Sequence, residues 1–552
     1  MPRPVPLRGV IEGFYGPPWS PEARLTVIEF VAERGMNAYV YAPKSEPKHR
    51  ERWRAPYDTQ ERARFENLVE HTNRLGVRLG FALSPGLDID YRDKRDRDAL
   101  VDKLAPLVDT GIDWFVLALD DIPNRPGLAG DQAALTSWLV DALRARRATT
   151  HVTLVPTEYV GTRPTSYLRD LATGLPPDVD VMWTGPTVCS PVVRADDARA
   201  RAAALGGRRP ILWDNFPVND GTMERSLHLG PYLGREPELT DEVDGVLCNP
   251  MLQAHASQIG LATAADFLRE PEGFDGLGSW FHAIADVEGE RRGDLSLVAR
   301  ACADGPLQAP RHIEMHSLVN SLEPQIDGPG WHYPVRILDI HLSGHVSARH
   351  GWADAPDDPL GAELDPWLAD METEAKAGLA AVRLIQQTFP VARWSRDGHG
   401  KAALPDPELA MLHAFALLYS WRAARRSDHV VFGPRFAVYP AVVQLADDVG
   451  ARPGVDVDLA VVEDESAIDR LCRLALDRYR AWTREPPTSL RVTRRRILDP
   501  DGPGIPVEVA PDGTFDAPRE KFGLLVEAGP DATELLQDED LSAPPFPDAR
   551  LD

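Results

Sequence analysis

Residues 114–121 read Trp114-Phe-Val-Leu-Ala-Leu-Asp-Asp121, a run of six apolar residues that ends on two adjacent aspartates. A run that is apolar almost throughout is buried on both faces, as in a parallel sheet covered by helices. Seven further runs in the first 290 residues have this character and end near Gly, Pro, Asp or Asn: residues 8–15, 37–42, 78–84, 152–158, 181–184, 211–215 and 245–249. The sequence therefore predicts eight buried parallel strands.

Amphipathic segments lie between these runs and predict helices. The clearest are residues 21–34, 58–75, 95–110, 132–146 and 195–205. Eight strand–helix units of this length have the count and the size of a TIM barrel, which typically takes about 250 residues. We therefore predict an α/β fold, a TIM (β/α)8 barrel, with a doubly wound open sheet as the structural alternative.

The pattern changes after the predicted barrel, to which we assign residues 1–292. Long helical patterns without strands then follow, at residues 311–322, 365–388, 407–425 and 463–482, and they predict a helical domain over residues 293–485. A proline-rich segment at 486–530 contains a Pro-Asp-Gly turn that favours a β-hairpin at 507–526. We expect the acidic residues 531–552 to form a disordered tail.

The charge and the apolar content limit the possible partners. With 85 acidic and 60 basic side chains the formal charge is −25, which disfavours nucleic acid and anionic membranes as partners. No apolar run approaches the roughly 18 residues of a membrane span, and the first ten residues do not resemble a signal peptide. The four cysteines are scattered, as expected of reduced thiols. We expect a cytoplasmic protein.

The residues that close the predicted strands are unusually polar and aromatic. In a TIM barrel these positions form the active face. They are Gly13, Tyr15, Lys44, Asp120, Asp121, Tyr159, Trp183, Trp213, Asn215, Asp220 and Asn249. Aromatic faces stack on sugar rings, and Asp and Asn bind hydroxyl groups, so the set suits a neutral, hydroxyl-rich ligand better than a phosphate.

The adjacent carboxylates Asp120 and Asp121 carry the most specific signal. Both can face one ligand only if the backbone turns where the strand ends, and Pro123 favours such a turn. Two carboxylates this close push their proton affinities apart, which leaves one group ionised and the other able to hold a proton. The pair therefore suits acid/base catalysis. The alternative is that one of these aspartates caps the next helix.

Taken together, the strand-end motifs resemble the catalytic domain of glycoside hydrolase family 84, the β-N-acetylglucosaminidases that include protein O-GlcNAcase and bacterial hyaluronidase-like enzymes. The resemblance covers about the first 290 residues. The matching segments are Gly9-Val-Ile-Glu-Gly-Phe-Tyr-Gly-Pro-Pro-Trp-Ser20, Tyr39-Val-Tyr-Ala-Pro-Lys44, Leu83-Ser-Pro-Gly86, Leu119-Asp-Asp-Ile122, Pro156-Thr-Glu-Tyr159, Trp183-Thr-Gly185, Trp213-Asp-Asn215 with Asp220, and Asn249-Pro-Met251.

The resemblance implies a retaining exo-β-N-acetylglucosaminidase that works by substrate-assisted catalysis through an oxazoline. Asp120 would orient the substrate's acetamido N–H, and Asp121 would be the general acid and then the general base. Tyr159 would bind the acetamido oxygen. The remaining site residues would surround the sugar: Gly13, Lys44, Trp183, Trp213, Asn215, Asp220 and Asn249. The resemblance implies no metal and no organic cofactor.

Two departures from the family pattern concern the leaving-group side of the site. Family members often have Lys-Asp-Asp-Pro where this chain has Lys44-Ser-Glu-Pro47, and Gly221 replaces a common tyrosine.

Two alternative functions are a hyaluronidase-type polysaccharide hydrolase and a catalytically idle glycan-binding module. The expected partner is a glycoside or glycoprotein that contains N-acetylglucosamine, and we expect a monomer or a homodimer formed through the helical domain.

Overall fold

Eight parallel strands form a closed barrel in this computed structural model. The structure describes residues 5–290, 294–303, 307, 314–328, 330–353, 357–389, 391–394, 400–403, 406–424, 426–433, 466–484, 494–499, 502–506 and 525–528. The barrel strands are β1 (Leu7–Glu12), β2 (Ala38–Tyr41), β3 (Arg78–Leu83), β4 (Trp114–Ala118), β5 (His151–Val155), β6 (Asp180–Trp183), β7 (Ile211–Asp214) and β8 (Gly245–Cys248).

The strands pair in chain order, and the barrel closes between β1 and β8, where Leu7 pairs with Gly245 and Val10 pairs with Cys248. This closure confirms the predicted TIM barrel and excludes the open sheet. Each of the eight predicted runs contains one strand, and these strands are mostly apolar because helices cover the outer face of the sheet and the barrel core fills the inner one.

Helices follow the strands and cover the barrel. They are α1 (Pro21–Glu33), α2 (Thr59–Arg74), α3 (Lys94–Thr110), α4 (Leu128–Arg146), α5 (Ser166–Gly174), α6 (Ala195–Ala204), α7 (Ala254–Arg269) and α8 (Gly276–Glu288). Local sequence defines their ends. In α2, Asp58 and Glu61 form a reciprocal capping box, which is worth about 1 kcal/mol. In α3, the chain turns at Gly111 with φ of 115°, a conformation that favours glycine.

The connection between β7 and β8 differs from the predicted strand–helix pattern. It contains two short 3₁₀ segments, Gly221–Met223 and Pro237–Asp241, in place of an α-helix. Residues 216–242 are rich in proline and glycine, which break α-helices. A long irregular loop therefore follows β7 at the active face.

Side chains alternate between two core layers along each strand. In β4, Trp114, Val116 and Ala118 fill the barrel interior, whereas Phe115 and Leu117 pack in the outer layer beneath the helices. Because this alternation has a period of two residues, the next inward position after Ala118 is Asp120. The strand thus places Asp120 at the mouth of the barrel.

The described residues form two compact units. The first comprises those within Met1–Ile313, Gly351–Pro366 and Gly433–Asp464, and the second comprises those within Glu314–His350, Trp367–Phe432 and Glu465–Asp552. A 3₁₀ turn at Pro271–Gly273 separates α7 from α8. Among the described residues beyond the barrel the helices are α9 (Leu295–Ala301), α10 (Glu314–Leu322), α11 (His332–Ala353), α12 (Pro359–Gln387), α13 (Pro407–Ala424) and α14 (Ala467–Arg484), with a 3₁₀ turn at Glu323–Gln325.

Short antiparallel strands also occur after the barrel. Strands β9 (Val391–Trp394) and β10 (Gly400–Ala403) pair between α12 and α13, so the expectation of a helical region without strands was wrong. Pro390, which cannot continue a helix, separates α12 from β9 in the sequence. None of the described helices is both long enough and apolar enough to cross a membrane.

Near the carboxyl terminus, β11 (Arg494–Asp499) pairs with β12 (Gly502–Pro506) on one side and with β13 (Leu525–Ala528) on the other. The strands β11 and β12 thus form a hairpin at residues 494–506. The hairpin predicted at 507–526 falls almost entirely outside the described residues, which do not include 507–524. The predicted tail, 531–552, also lies outside them.

Candidate active site

Asp120 and Lys44 form a buried ion pair at the mouth of the barrel. Asp120 Oδ2 lies 2.5 Å from Lys44 Nζ, and both side chains are less than one-tenth exposed. Asp120 Oδ1 is buried and has no hydrogen-bond partner among the described residues. A buried carboxylate oxygen is costly to leave without a donor, so this atom suits a donor supplied by a ligand.

Asp121 faces the same site because the backbone turns there. Its φ of 54° lies in the left-handed region, which only a few per cent of non-glycine residues adopt and which often marks functional positions. Asp121 Oδ1 accepts a 2.8 Å hydrogen bond from the Tyr159 hydroxyl, and Oδ2 accepts one of 2.6 Å from the Tyr15 hydroxyl. Arg50 Nη1 lies 3.9 Å from Oδ2.

The helix-cap alternative for the two aspartates is wrong. Helix α4 begins seven residues beyond Asp121, at Leu128, and its N-cap is Gly127, where no side chain caps the helix. The side chains of Asp120 and Asp121 are instead committed to Lys44 and to two tyrosines.

Burial on its own raises the pKa of Asp121, but nearby groups outweigh that effect. The Lys44 ammonium is the largest opposing cause, and the hydroxyls of Tyr15 and Tyr159 and the Arg50 guanidinium add to it. The pKa of Asp121 is therefore below its ordinary value. In the ligand-free protein this carboxyl is ionised at neutral pH.

A chain of hydrogen-bonded polar groups forms a polar wall at the carboxyl ends of β1, β7 and β8. The Gly13 amide donates to Asn249 Oδ1 at 3.1 Å, and Asn249 Nδ2 donates to Asn215 Oδ1 at 2.9 Å. The Trp213 indole also donates to Asn215 Oδ1, at 3.1 Å. A Cβ at Gly13 would lie 2.3 Å from Trp213 Cζ2, so position 13 requires glycine for close packing.

Asp220 lies in the long loop after β7 and is connected to Asp121 through Tyr15. Its Oδ2 accepts a 2.7 Å hydrogen bond from the Tyr15 amide, while the hydroxyl of the same tyrosine contacts Asp121. Burial raises the pKa of Asp220, and the charges of Asp121 and Glu224 add to that rise, although the Tyr15 amide opposes it. Tyr15 thus bridges two carboxylates of the site.

Trp183 does not line the site with the other predicted residues. Its side chain is fully buried in the outer core layer, and its indole donates to the Gly161 carbonyl at 2.9 Å. The inward position at this end of β6 belongs to Met182. Because side chains alternate along a strand, Trp183 points away from the barrel axis and supports the loop that carries Tyr159.

Two residues without an assigned role also belong to the site. Tyr15 was among the polar strand-end residues, and its contacts to Asp121 and Asp220 place it at the centre. Arg50 lies in the β2–α2 connection, outside the strand-end pattern, so no sequence signal identified it. Its guanidinium lies over the Tyr15 ring, 5.6 Å from the centroid. Within the described part of the chain, no group of three His, Cys, Asp or Glu side chains is arranged to hold a metal ion.

A closed (β/α)8 barrel with paired carboxylates and a polar wall at the carboxyl ends of its strands has the architecture of a glycoside hydrolase. The family model of the β-N-acetylglucosaminidases (NAGidase) matches residues 8–299, more than half of the chain. The chain therefore belongs to this family, glycoside hydrolase family 84.

Individual relatives agree with this assignment. Protein O-GlcNAcase from Rattus norvegicus and from Mus musculus are each 32% identical over 278 residues, which is 48% of this chain and 30% of each relative. The match thus spans less than a third of these relatives' length. Among solved structures, a mutant O-GlcNAc hydrolase from Thermobaculum terrenum superposes with a TM-score of 0.71 at 26% identity, covering 86% of this chain and 95% of that one. The protein CpGH84B gives a TM-score of 0.69 at 30% identity, with 77% and 75% covered.

Proposed function

We propose that the chain is a retaining exo-β-N-acetylglucosaminidase, similar to O-GlcNAcase, that uses the substrate's own acetamido group as nucleophile. One observation carries this proposal: two adjacent carboxylates face one site but have different partners, Asp120 paired with Lys44 and Asp121 held by two tyrosines. A mechanism with an enzymic nucleophile needs two carboxylates across the sugar, about 5 Å or more apart. Adjacent carboxylates suit substrate assistance better.

In this mechanism the acetamido oxygen attacks the anomeric carbon and forms a bicyclic oxazoline, while the bond to the leaving oxygen breaks. Asp120 Oδ1, which is buried without a protein donor, accepts the acetamido N–H and offsets the positive charge that develops on the ring. Lys44 fixes the other oxygen of this carboxylate. Asp120 therefore orients the nucleophile and polarises it without moving.

Asp121 protonates the leaving oxygen and then takes a proton from the water that opens the oxazoline, which gives retention. The ligand-free protein favours the ionised form of this carboxyl. A bound sugar excludes water and draws the Tyr159 hydroxyl to its acetamido oxygen, and both changes favour the protonated form. Substrate binding thus prepares the acid.

Asp220, Asn215 and Asn249 bind the hydroxyls of the terminal sugar. Asn215 and Asn249 are tied to each other and to the Gly13 amide, so their positions are set before the sugar arrives. Such preorganisation reduces the reorganisation that binding requires.

The direct test is turnover of 4-nitrophenyl β-N-acetylglucosaminide by the purified chain, with the anomer first released followed by NMR. We expect hydrolysis with release of the β-anomer, and a large loss in Asp121→Ala with a poor leaving group. Release of reducing ends from the interior of hyaluronan would favour the polysaccharide hydrolase. Binding of N-acetylglucosamine without turnover would favour the glycan-binding module.

The pH dependence tests the tyrosine bridge. The Tyr15 hydroxyl donates to the ionised form of Asp121 and so lowers the pKa of that carboxyl. Tyr15→Phe removes this donor, so the pKa rises and the protonated acid persists to higher pH. We expect the basic limb of the kcat/KM profile, which reports the free enzyme, to move to higher pH. Tyr57→Phe is the matched control, because Tyr57 donates at 2.9 Å to a carboxylate outside the site, Glu46. A basic limb that stays in place or moves to lower pH in Tyr15→Phe would contradict this assignment.

A further inference from the structure

Arg201 is a fully buried arginine on α6, in the outer layer of the barrel unit. Its Nη2 donates to the Glu158 carbonyl at 2.5 Å, and its Nη1 lies 3.4 Å from the Val160 carbonyl and 3.5 Å from that of Gly161. Within the described residues no carboxylate forms an ion pair with it. A buried cation that is held by main-chain carbonyls is costly to maintain, so its position calls for a reason other than packing.

The three carbonyls bound by Arg201 flank Tyr159 on both sides. Tyr159 lies in the segment between β5 and α5, residues 156–165, which has no regular secondary structure. The carbonyl of Tyr159 itself accepts from the Thr184 amide at 3.0 Å. Four consecutive carbonyls, at residues 158 to 161, are therefore bound from outside the segment. The backbone that carries the tyrosine is held in one conformation.

We propose that Arg201 is a positioning residue. By binding the main-chain carbonyls on both sides of Tyr159, it holds the Tyr159 hydroxyl where it can contact the acetamido oxygen. The inference rests on the proposed function, since it assigns Arg201 a task in that reaction. Among the described residues the guanidinium forms no hydrogen bond or ion pair with Asp121, so we assign it an action through the backbone that carries Tyr159. Its planar fork can bind several carbonyls at once, whereas a lysine ammonium at the end of a flexible chain cannot reproduce that geometry.

Positioning of this kind matters because the reacting groups must be held to within about 0.5 Å of the productive geometry. Tyr159 Oη is 2.8 Å from Asp121 Oδ1, so a displaced loop would disturb both the acetamide contact and the acid. A loss of activity in an Arg201 variant should therefore depend on the Tyr159 hydroxyl. A purely structural arginine would act on activity whether or not that hydroxyl is present.

The test is a double-mutant cycle in the full chain, with Arg201→Met and Arg201→Lys each made alone and with Tyr159→Phe. We expect each Arg201 variant to lower kcat/KM for an aryl N-acetylglucosaminide by about tenfold or more, a typical coupling for residues in one network. On the Tyr159→Phe background the same changes should cost less than about threefold. Equal losses on both backgrounds would overturn the proposal. Arg201→Lys keeps the test usable if Arg201→Met does not fold.

Arg208→Met is the matched control. Arg208 also donates to main-chain carbonyls, those of Pro177 and Val179, which precede β6 at the opposite end of the barrel. Any loss of kcat/KM caused by Arg208→Met should be the same with and without the Tyr159→Phe change.

Hydrogen exchange gives a readout that does not require activity. The Gly161 amide, which donates to the Gly185 carbonyl at 2.9 Å, should exchange faster in Arg201→Lys than in the wild type or in Arg208→Met. Unchanged protection at Gly161 would also overturn the proposal. An inactive wild-type chain with faster exchange at Gly161 in Arg201→Lys would refute the proposed function and leave the structural role of Arg201 in place.

Discussion

Asp121→Ala should lower kcat/KM by an amount that depends on the leaving group. With a poor alkyl or serine-like leaving group, kcat/KM should fall by a factor on the order of 10²–10⁴, which is what general acid catalysis supplies. With an aryl glycoside of a strongly acidic phenol, kcat/KM should fall only slightly, because the departing oxygen needs no proton. A plot of log kcat/KM against leaving-group pKa should therefore be much steeper for this variant than for the wild type.

Asp120→Ala is the matched comparison, since it removes the adjacent carboxylate. It takes away the group that orients the acetamide and leaves Lys44 buried without its anion. The loss should be large with every leaving group, so the line should be displaced downward with little added slope. A steep line for Asp120→Ala and a displaced line for Asp121→Ala would mean that the two roles are exchanged. Full activity in both variants would refute the assignment of this site.

Asp220→Ala should lower kcat/KM severely for every N-acetylglucosaminide. Loss of a hydrogen bond to a charged group costs about 1.5–3 kcal/mol, and sugar hydroxyls left without a partner in a partly dry site add to that loss. The total effect should be on the order of 10²-fold or more, since about 1.4 kcal/mol corresponds to tenfold. The change also removes the acceptor of the Tyr15 amide.

Glu224→Ala serves as the control for that experiment, because Glu224 is a nearby exposed acid that contributes only charge to the surroundings of Asp220. Steady-state kinetics with two leaving groups of different pKa should show the same proportional loss for Asp220→Ala and a loss below about twofold for Glu224→Ala. Wild-type kinetics in Asp220→Ala would mean that its place at the site is incidental.

The strand-end positions were predictable because the barrel strands are mostly apolar and the residues that follow them are polar or aromatic. Alternation along β4 accounts for Asp120, and the left-handed turn at Asp121 brings the second carboxylate to the same side. The same alternation explains the error at Trp183. The last three residues of β6, Val181, Met182 and Trp183, are all apolar, so the sequence does not distinguish the inward side chain from the outward one.

Other features depend on contacts between distant segments. Arg50 lies in a connection outside the strand pattern, and Arg201 lies in a helix whose alternating charges indicate a solvated surface. Only the packing of the β5–α5 segment against α6 shows that Arg201 is buried. The lowered pKa of Asp121 likewise arises from residues that are far apart in sequence, of which Lys44 has the largest effect among those that lower it.

Substrate assistance is most directly tested by varying the acyl group while the leaving group stays constant. Fluorine withdraws electrons and weakens the carbonyl oxygen as a nucleophile. We predict that kcat/KM falls steeply and in order from N-acetyl to N-fluoroacetyl to N-trifluoroacetyl aryl glucosaminides, without being abolished at the first step. Equal values of kcat/KM across the three substrates would show that the acetamido oxygen is not the nucleophile and would contradict the proposed mechanism.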